Sequence, residues 1–154
     1  MKRELILLRH AHAENPVADQ NDADRPLTER GVAEAKAAAE WLKTHTVHPA
    51  RILCSPALRA RQTLQYALGD VDVTIEPRIY DATAGDLDTL IDENSEEQRL
   101  IMVGHNPGFE TLVALLATGQ SGDFRGMPPG GIAWFELDGP AEPASGRLKA
   151  FWSP

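Results

Sequence analysis

The sequence predicts an α/β fold, specifically a three-layer α/β/α sandwich with a mostly parallel central sheet. Short apolar runs of strand length alternate with longer segments of helical spacing, which is typical of a parallel sheet covered by helices on both faces. Crossovers between parallel strands are right-handed, and this rule distributes the helices over two layers. At 154 residues the chain can bury a sizeable core, and we expect a single domain over 1–154.

The first half of the chain supplies two strand–helix pairs. The run ELILL at 4–8 is typical of a strand that is buried on both faces. The polar segment 15–26 contains two prolines and predicts a loop, and the alanine-rich segment after it predicts a helix over about 28–45. ARILCS at 50–55 predicts a second strand, and Pro56 suits the first turn of a second helix.

In the second half of the chain, predicted strands and helices continue to alternate until about residue 118, after which two strands follow without a helix between them. Two further strand–helix pairs are predicted, at 72–77 with 85–93 and at 99–105 with 107–118. Alternating apolar residues then predict a hairpin-like pair of terminal strands at 130–138 and 146–153. The glycine- and proline-rich segment 121–131 predicts a surface loop that could border a pocket.

The composition disfavours several classes of function. The net charge is −8, from 15 Lys and Arg against 23 Asp and Glu, whereas a general nucleic-acid binder carries a basic surplus. No run reaches the ~18 apolar residues of a membrane span, and the N-terminus lacks a signal-peptide cleavage site. We therefore expect no nucleic-acid or membrane partner and a cytoplasmic location. The single cysteine, Cys54, excludes an internal disulfide and is expected to be a buried, inert thiol.

Chemically reactive side chains follow three of the predicted strands. Arg9 and His10 follow the first strand, Ser55 ends the second with Arg59 about one turn into the next helix, and His105 ends the fourth. In open α/β sheets, ligands bind beyond the carboxyl ends of the strands. If these strands are parallel neighbours, the side chains converge in one positively charged pocket.

Such a pocket suits a phosphoryl group. Arginine pairs bidentately with phosphoryl oxygens, and a neutral imidazole can attack phosphorus or donate a hydrogen bond. The helices that begin after the second and fourth strands could add backbone donors. Each residue alone also fits a structural role, as a polar strand end, a turn residue or part of a solvated helix face. Their joint occurrence at successive strand ends favours the phosphate pocket.

Three segments resemble the signatures of the histidine phosphatase superfamily, the phosphoglycerate-mutase-like enzymes. They are LLRHAHAE, LCSPALRARQT and VGHNPG, they occur in the order expected for that family, and together they span nearly the whole chain. The short length, the segment DRPLTERG at 24–31 and the segment GHNPG look most like the SixA-type phosphohistidine phosphatases.

This resemblance implies a role for each matching residue. His10 would be the nucleophile that becomes phosphorylated. Arg9 and Arg59 would clamp the phosphoryl oxygens, and His105 would stabilise the transferring group from the other side. The catalytic arginine of the second signature falls on Arg59 and not on Arg61.

Some positions follow the resemblance less closely. Mutase-like relatives place an acidic proton donor after the third strand region, where this chain offers Glu76, Asp81 and Asp86. Asp81 matches best by position, but the SixA-type branch does not hold this residue reliably, so a solvated loop acid stays open. Asn106 follows the fourth strand and is added as a candidate substrate-binding residue. Ala11 stands where the family typically has glycine, and alanine is still small.

The resemblance implies a phosphatase that works in two steps. His10 attacks the phosphoryl group, and water then hydrolyses the phosphohistidine enzyme intermediate. No metal or other cofactor is expected, because the arginines repel a cation and no HExxH motif is present. The expected substrate is a phosphohistidine on another protein, whose imidazole can leave already protonated, or a small phosphorylated molecule. A broad-specificity phosphatase of small phosphoesters and a non-catalytic phosphoryl-binding module are the alternatives.

Overall fold

In the computed structural model, the described residues 2–45, 50–122 and 126–154 form one six-stranded sheet and four α-helices. The strands are β1 (Arg3–Arg9), β2 (Arg51–Cys54), β3 (Thr74–Ile75), β4 (Arg99–Gly104), β5 (Ile132–Leu137) and β6 (Gly146–Trp152). The helices are α1 (Glu29–Thr44), α2 (Leu58–Leu68), α3 (Ala84–Glu93) and α4 (Gly108–Thr118). No helix within the described ranges is both long enough and apolar enough to cross a membrane.

The strands lie in the order β3-β2-β4-β1-β5-β6. The first four pair in parallel, whereas β5 is antiparallel to β1 and β6 is antiparallel to β5. The predicted mostly parallel sheet and the terminal pair of strands are therefore confirmed. At the centre of the sheet, Arg9 of β1 is opposite Gly104 of β4, which brings the ends of these two strands side by side.

Two hydrophobic cores lie on opposite faces of the sheet, because successive side chains of a strand point to opposite faces. Leu5 and Leu7 pack into the core that α3 and α4 cover, and Ile6 and Leu8 pack into the core that α1 and α2 cover. This arrangement confirms the three layers. Cys54 lies in the second core, fully buried, and burial raises the pKa of its thiol to about 12. A thiol in this state is inert at neutral pH, as expected.

The start of α1 is tied to the chain that follows β1. The hydroxyl of Thr28 caps the helix by accepting the N–H of Gly31 at 3.0 Å, and it also lies 2.8 Å from Nδ1 of His12. A Cβ on Gly31 would lie 2.0 Å from the carbonyl oxygen of His12. Glycine is therefore required here, which gives a packing reason for the segment DRPLTERG.

The third strand is shorter than predicted. Only Thr74 and Ile75 pair with β2, although the sequence predicted a strand over 72–77. Pro77 has no N–H to offer a strand partner and instead opens a 3₁₀ turn, which the Glu76 carboxylate caps by accepting the N–H of Arg78. The strand prediction was therefore too long at both ends.

The second helix begins later than predicted. The hydroxyl of Ser55 accepts the N–H of Ala57 at 3.2 Å, and Ala57 keeps an extended conformation. This side-chain hydrogen bond holds a turn that competes with the helix, so α2 begins at Leu58 and Pro56 lies outside it. Arg59 is consequently the second residue of α2 and lies close to the end of β2.

Candidate active site

A cleft of about 660 Å³ lies beyond the carboxyl ends of β1 and β4. All six candidate residues line it: Arg9, His10, Arg59, Asp81, His105 and Asn106. The imidazole rings of His10 and His105 are 5.0 Å apart between centroids. The structure thus brings together, in one cleft, residues that lie as much as 97 positions apart in the sequence.

The parallel pairing of β1 and β4 explains why the two histidines meet. The backbone N–H of His10 donates to the carbonyl oxygen of Gly104 at 2.9 Å, and His105 follows Gly104 directly. A Cβ on Gly104 would lie within 3 Å of the side chains of Ile79 and Phe109, so only glycine fits at this crossing without a shift. The end of β4 is therefore tightly packed beneath His105.

His10 has a defined tautomer. Its Nδ1 lies 2.8 Å from the carbonyl oxygen of Ala11, and because a carbonyl only accepts, Nδ1 carries the proton. The other ring nitrogen, Nε2, is left with a lone pair. Burial lowers the pKa of His10 to about 3, so the imidazole is uncharged at neutral pH. An uncharged imidazole with a free Nε2 can act as a nucleophile.

The residue after His10 anchors it to α2. Ala11 is fully buried, and its N–H donates to the hydroxyl of Thr63 at 2.9 Å. That hydroxyl donates in turn to the carbonyl oxygen of Arg59 at 2.7 Å. Alanine is therefore accommodated where the family signature has glycine, because its methyl group packs in a small buried cluster with Leu27 and Ala35.

His105 is held by Ser55. Its Nε2 lies 2.7 Å from the hydroxyl oxygen of Ser55, a residue with no exposed surface. Burial, together with the nearby cation of Arg59, lowers the pKa of His105 to about 4, so this ring is also uncharged at neutral pH. Nδ1 of His105 is buried and has no hydrogen-bond partner among the described residues.

Each of the two arginines has a buried nitrogen without a hydrogen-bond partner among the described residues. Arg9 donates from Nη1 to the carbonyl oxygen of Met127 at 2.7 Å, and Arg59 donates to Asp22. Within the described residues, Nε of both arginines is buried without a hydrogen bond, like Nδ1 of His105. Leaving a buried polar group unsatisfied costs about 1–3 kcal/mol. Three such nitrogens around one cleft indicate a site that is completed by a bound ligand rich in acceptor oxygens.

Sequence reasoning missed Asp22, Arg25 and Tyr80. The carboxylate of Asp22 accepts hydrogen bonds from Nη2 of Arg59 at 3.0 Å, from Nε of Arg25 at 2.9 Å and from the hydroxyl of Tyr80. The Tyr80 hydroxyl, with the two guanidinium groups, holds the pKa of Asp22 well below its usual range. Asp22 is therefore an anion at neutral pH and forms an ion pair with Arg59, one of the two arginines of the cleft. It sits in the segment predicted as a loop, where a short 3₁₀ turn spans Asp22–Asp24.

Asp81 and Asn106 line the cleft, but neither forms a direct hydrogen bond with its arginines or histidines among the described residues. The side chain of Asp81 is exposed and forms no hydrogen bond or ion pair with the rest of the described chain. The Asn106 amide donates to the carbonyl oxygen of Met127 at 2.9 Å and to the Glu110 carboxylate at 3.1 Å, so both its donor hydrogens are engaged. Their roles as proton donor and substrate-binding residue stay predictions.

The segment 121–131 borders the cleft where it is described. Pro129 lines the cleft, and the carbonyl oxygen of Met127 accepts hydrogen bonds from Arg9 and Asn106. Residues 123–125 lie outside the described residues. Across the described ranges, no group of three or more His, Cys, Asp or Glu side chains is arranged to hold a metal ion.

Comparison with known proteins gives one consistent result. The family model for the histidine phosphatase superfamily (branch 1) matches residues 5–113. An uncharacterized protein of Mycobacterium tuberculosis is 33% identical over an alignment of 163 residues. The alignment covers 96% of this chain and 99% of the relative.

Solved structures agree over the whole length. A candidate phosphohistidine phosphatase SixA from Nakamurella multipartitia matches with a TM-score of 0.86 and 26% identity, covering 100% of this chain and 97% of that one. The protein histidine phosphatase SixA complexed with tungstate matches with a TM-score of 0.82 and 28% identity, covering 98% of this chain and 97% of that one.

Proposed function

This chain belongs to the histidine phosphatase superfamily, and we propose that it hydrolyses phosphoryl groups through a phosphohistidine intermediate on His10. One observation carries the proposal. The unprotonated Nε2 of His10 shares a cleft with three buried nitrogens, on Arg9, Arg59 and His105, that have no hydrogen-bond partner in the described part of the chain. A phosphoryl group supplies an electrophilic phosphorus for the imidazole of His10 and acceptor oxygens for the two guanidinium groups. It also accepts from Nδ1 of His105 in the tautomer in which Ser55 donates to Nε2 and Nδ1 carries the proton.

The reaction proceeds in two displacements. Nε2 of His10 donates its lone pair to phosphorus, and the bond from phosphorus to the leaving group breaks. Because the pKa of His10 is about 3, the attacking nitrogen needs no prior deprotonation at neutral pH. Arg9 and Arg59 neutralise the phosphoryl oxygens. Water then attacks phosphorus, and the bond between phosphorus and Nε2 breaks with its electron pair returning to Nε2. Inorganic phosphate leaves with the protons of the water, and His10 is restored in its uncharged form.

The preferred substrate is a phosphohistidine side chain on another protein. An ester substrate needs an acid to protonate its leaving oxygen. Asp22, however, is held as an anion, and Asp81 is exposed with no hydrogen bond or ion pair to any described residue that would fix its position. The imidazole of a phosphohistidine can leave already protonated and has less need of such an acid. The similar SixA protein bears the name of a protein histidine phosphatase, which supports the same choice.

Formation of the intermediate is tested with a ³²P-labelled phosphohistidine protein as donor. The wild-type chain should acquire an acid-labile, alkali-stable label, and His10→Ala should not. His45→Gln is the matched control, because His45 is an exposed histidine at the end of α1 and should leave labelling unchanged. Equal labelling of His10→Ala and the wild type would refute the proposal that His10 is the nucleophile. Tight phosphate binding with neither label nor released phosphate would instead indicate a binding module.

The substrate class is tested by comparing specificity constants. We expect kcat/KM to be highest for a phosphohistidine protein, lower for a phosphotyrosine peptide and lower again for small sugar phosphates. A reversed order would favour a broad-specificity phosphatase of small phosphoesters. The proposed reaction uses no metal, so excess EDTA should leave the rate unchanged. The cytoplasmic location stays a prediction.

A further inference from the structure

The carboxylate of Asp22 occupies the guanidinium end of Arg59. Nη1 of Arg59 donates to the backbone carbonyl oxygen of Asp22 at 2.8 Å, and Nη2 donates to Oδ2 at 3.0 Å. The Arg59 side chain is only 7% exposed, whereas that of Asp22 is 47% exposed. The chain therefore places its own anion, open to solvent, on the buried arginine of the cleft.

Asp22 is held in this position by several contacts. Nε and Nη2 of Arg25 lie 2.9 and 2.8 Å from Oδ1 of Asp22, and the Tyr80 hydroxyl donates to Oδ2. Asp22 lies in the loop 14–26, whose two ends are held together by an isolated antiparallel bridge between Ala13 and Leu27. The position of the carboxylate thus follows from the fold around it.

We propose that Asp22 is an internal competitor of the phosphoryl group for Arg59, an inference that rests on the proposed function. Carboxylate and phosphoryl oxygens use the same parallel N–H donors of a guanidinium group. A phosphoryl dianion that reaches Arg59 must therefore displace the Asp22 carboxylate or lie beside it and be repelled by it. Asp22 consequently weakens the binding of phosphoryl anions in general, and it promotes release of inorganic phosphate after each turnover.

The substitution Asp22→Asn removes the charge of this carboxylate with little change in shape. Asparagine keeps one oxygen that can accept from Nη2 of Arg59 and the Tyr80 hydroxyl, but it is neutral, and its NH2 group replaces the oxygen that accepts from Arg25. Asp24→Asn is the matched control. It makes the same charge change in the same 3₁₀ turn, at an exposed acid whose side chain has no hydrogen bond or ion pair with other described residues.

The measurement is the Kd of inorganic phosphate by isothermal titration calorimetry at constant ionic strength. We expect Asp22→Asn to bind phosphate about tenfold more tightly than the wild type, equivalent to about 1.4 kcal/mol, and Asp24→Asn to differ by less than about twofold. In the background Arg59→Lys, the gain from Asp22→Asn should largely disappear, because the competition is for the guanidinium group. A purely structural role of Asp22 would not produce that dependence on Arg59.

A second variant covers the case in which Asp22→Asn fails to fold. Tyr80→Phe keeps the ring beside His105 but removes one donor that holds Asp22, so phosphate should bind more tightly than to the wild type, by a smaller factor.

Unchanged or weaker phosphate binding by Asp22→Asn would overturn the inference and leave the proposed function in place, provided that the wild type binds phosphate and hydrolyses its substrate. A wild-type chain that binds no phosphate and hydrolyses no phosphorylated substrate would overturn both.

Discussion

Lowering the pH from 7 to 5 should leave both histidines of the cleft uncharged. Burial disfavours the imidazolium form, and it lowers the pKa of His10 to about 3 and that of His105 to about 4. At pH 5, about 90% of the molecules should therefore carry both rings in the neutral form. A histidine with an ordinary pKa of about 6.5 would be neutral in only about 3% of molecules at that pH.

The assay is an NMR titration of the imidazole Cε1–H signals between pH 7.5 and 4.5. The chain has five histidines, and the two in the cleft can be assigned from the signals that His10→Gln and His105→Gln remove. We expect neither of these two signals to reach its titration midpoint above pH 5. In the chain unfolded by urea, both should titrate at about pH 6.5. A midpoint at or above pH 6 for His10 in the folded chain would refute the argument that burial keeps it nucleophilic.

The same pKa values predict how stability depends on pH. Between about pH 6.5 and 4, the unfolded chain binds more protons at these two histidines than the folded chain, so their burial makes stability fall as the pH falls. At pH 5 the loss is at most about 2 kcal/mol for each histidine relative to neutral pH. Urea unfolding at pH 7 and pH 5 should therefore show a smaller pH dependence for His10→Gln than for the wild type. An unchanged pH dependence would contradict the assigned burial effect.

Three further predictions concern the surroundings of the cleft. Ser55→Ala removes the hydroxyl that lies 2.7 Å from Nε2 of His105, so steady-state kinetics should show kcat about tenfold lower with little change in KM. An unchanged kcat would exclude a role of Ser55 in positioning His105. Gly108→Ala would place a Cβ 2.4 Å from the carbonyl oxygen of Ala82, so urea unfolding should report a loss of about 1–3 kcal/mol, and wild-type stability would show that this contact relaxes freely. Asp81→Asn should leave kcat for a phosphohistidine substrate within about threefold of the wild type, whereas a loss of about 100-fold would make Asp81 the proton donor.

The convergence of residues at strand ends is predictable from the sequence. The apolar runs that form β1 and β4 end at Arg9 and Gly104, and parallel strands present their carboxyl ends at one edge of the sheet. Once both runs are recognised as parallel strands, the meeting of His10 with His105 follows without knowledge of any loop.

Other features depend on contacts that no local pattern contains. Asp22 and Arg59 are separated by 37 positions. They meet only because the loop 14–26, which the bridge between Ala13 and Leu27 closes, folds back over α2. The predicted start of α2 at Pro56 is wrong for a different reason. A proline suits the first turn of a helix, but here the Ser55 hydroxyl captures the N–H of Ala57 and delays the helix to Leu58. Side-chain competition of this kind is decided by geometry that the sequence does not display.

The identity of the phosphorylated nitrogen tests the central claim most directly. Nδ1 of His10 is engaged with the carbonyl oxygen of Ala11, so the lone pair on Nε2 should form the bond to phosphorus. Two-dimensional ¹H–¹⁵N NMR of the ¹⁵N-labelled phosphoenzyme, with ³¹P coupling, distinguishes the two ring nitrogens. The account predicts a phosphoryl group on Nε2 of His10. A phosphoryl group on Nδ1, or on any other residue, would contradict it.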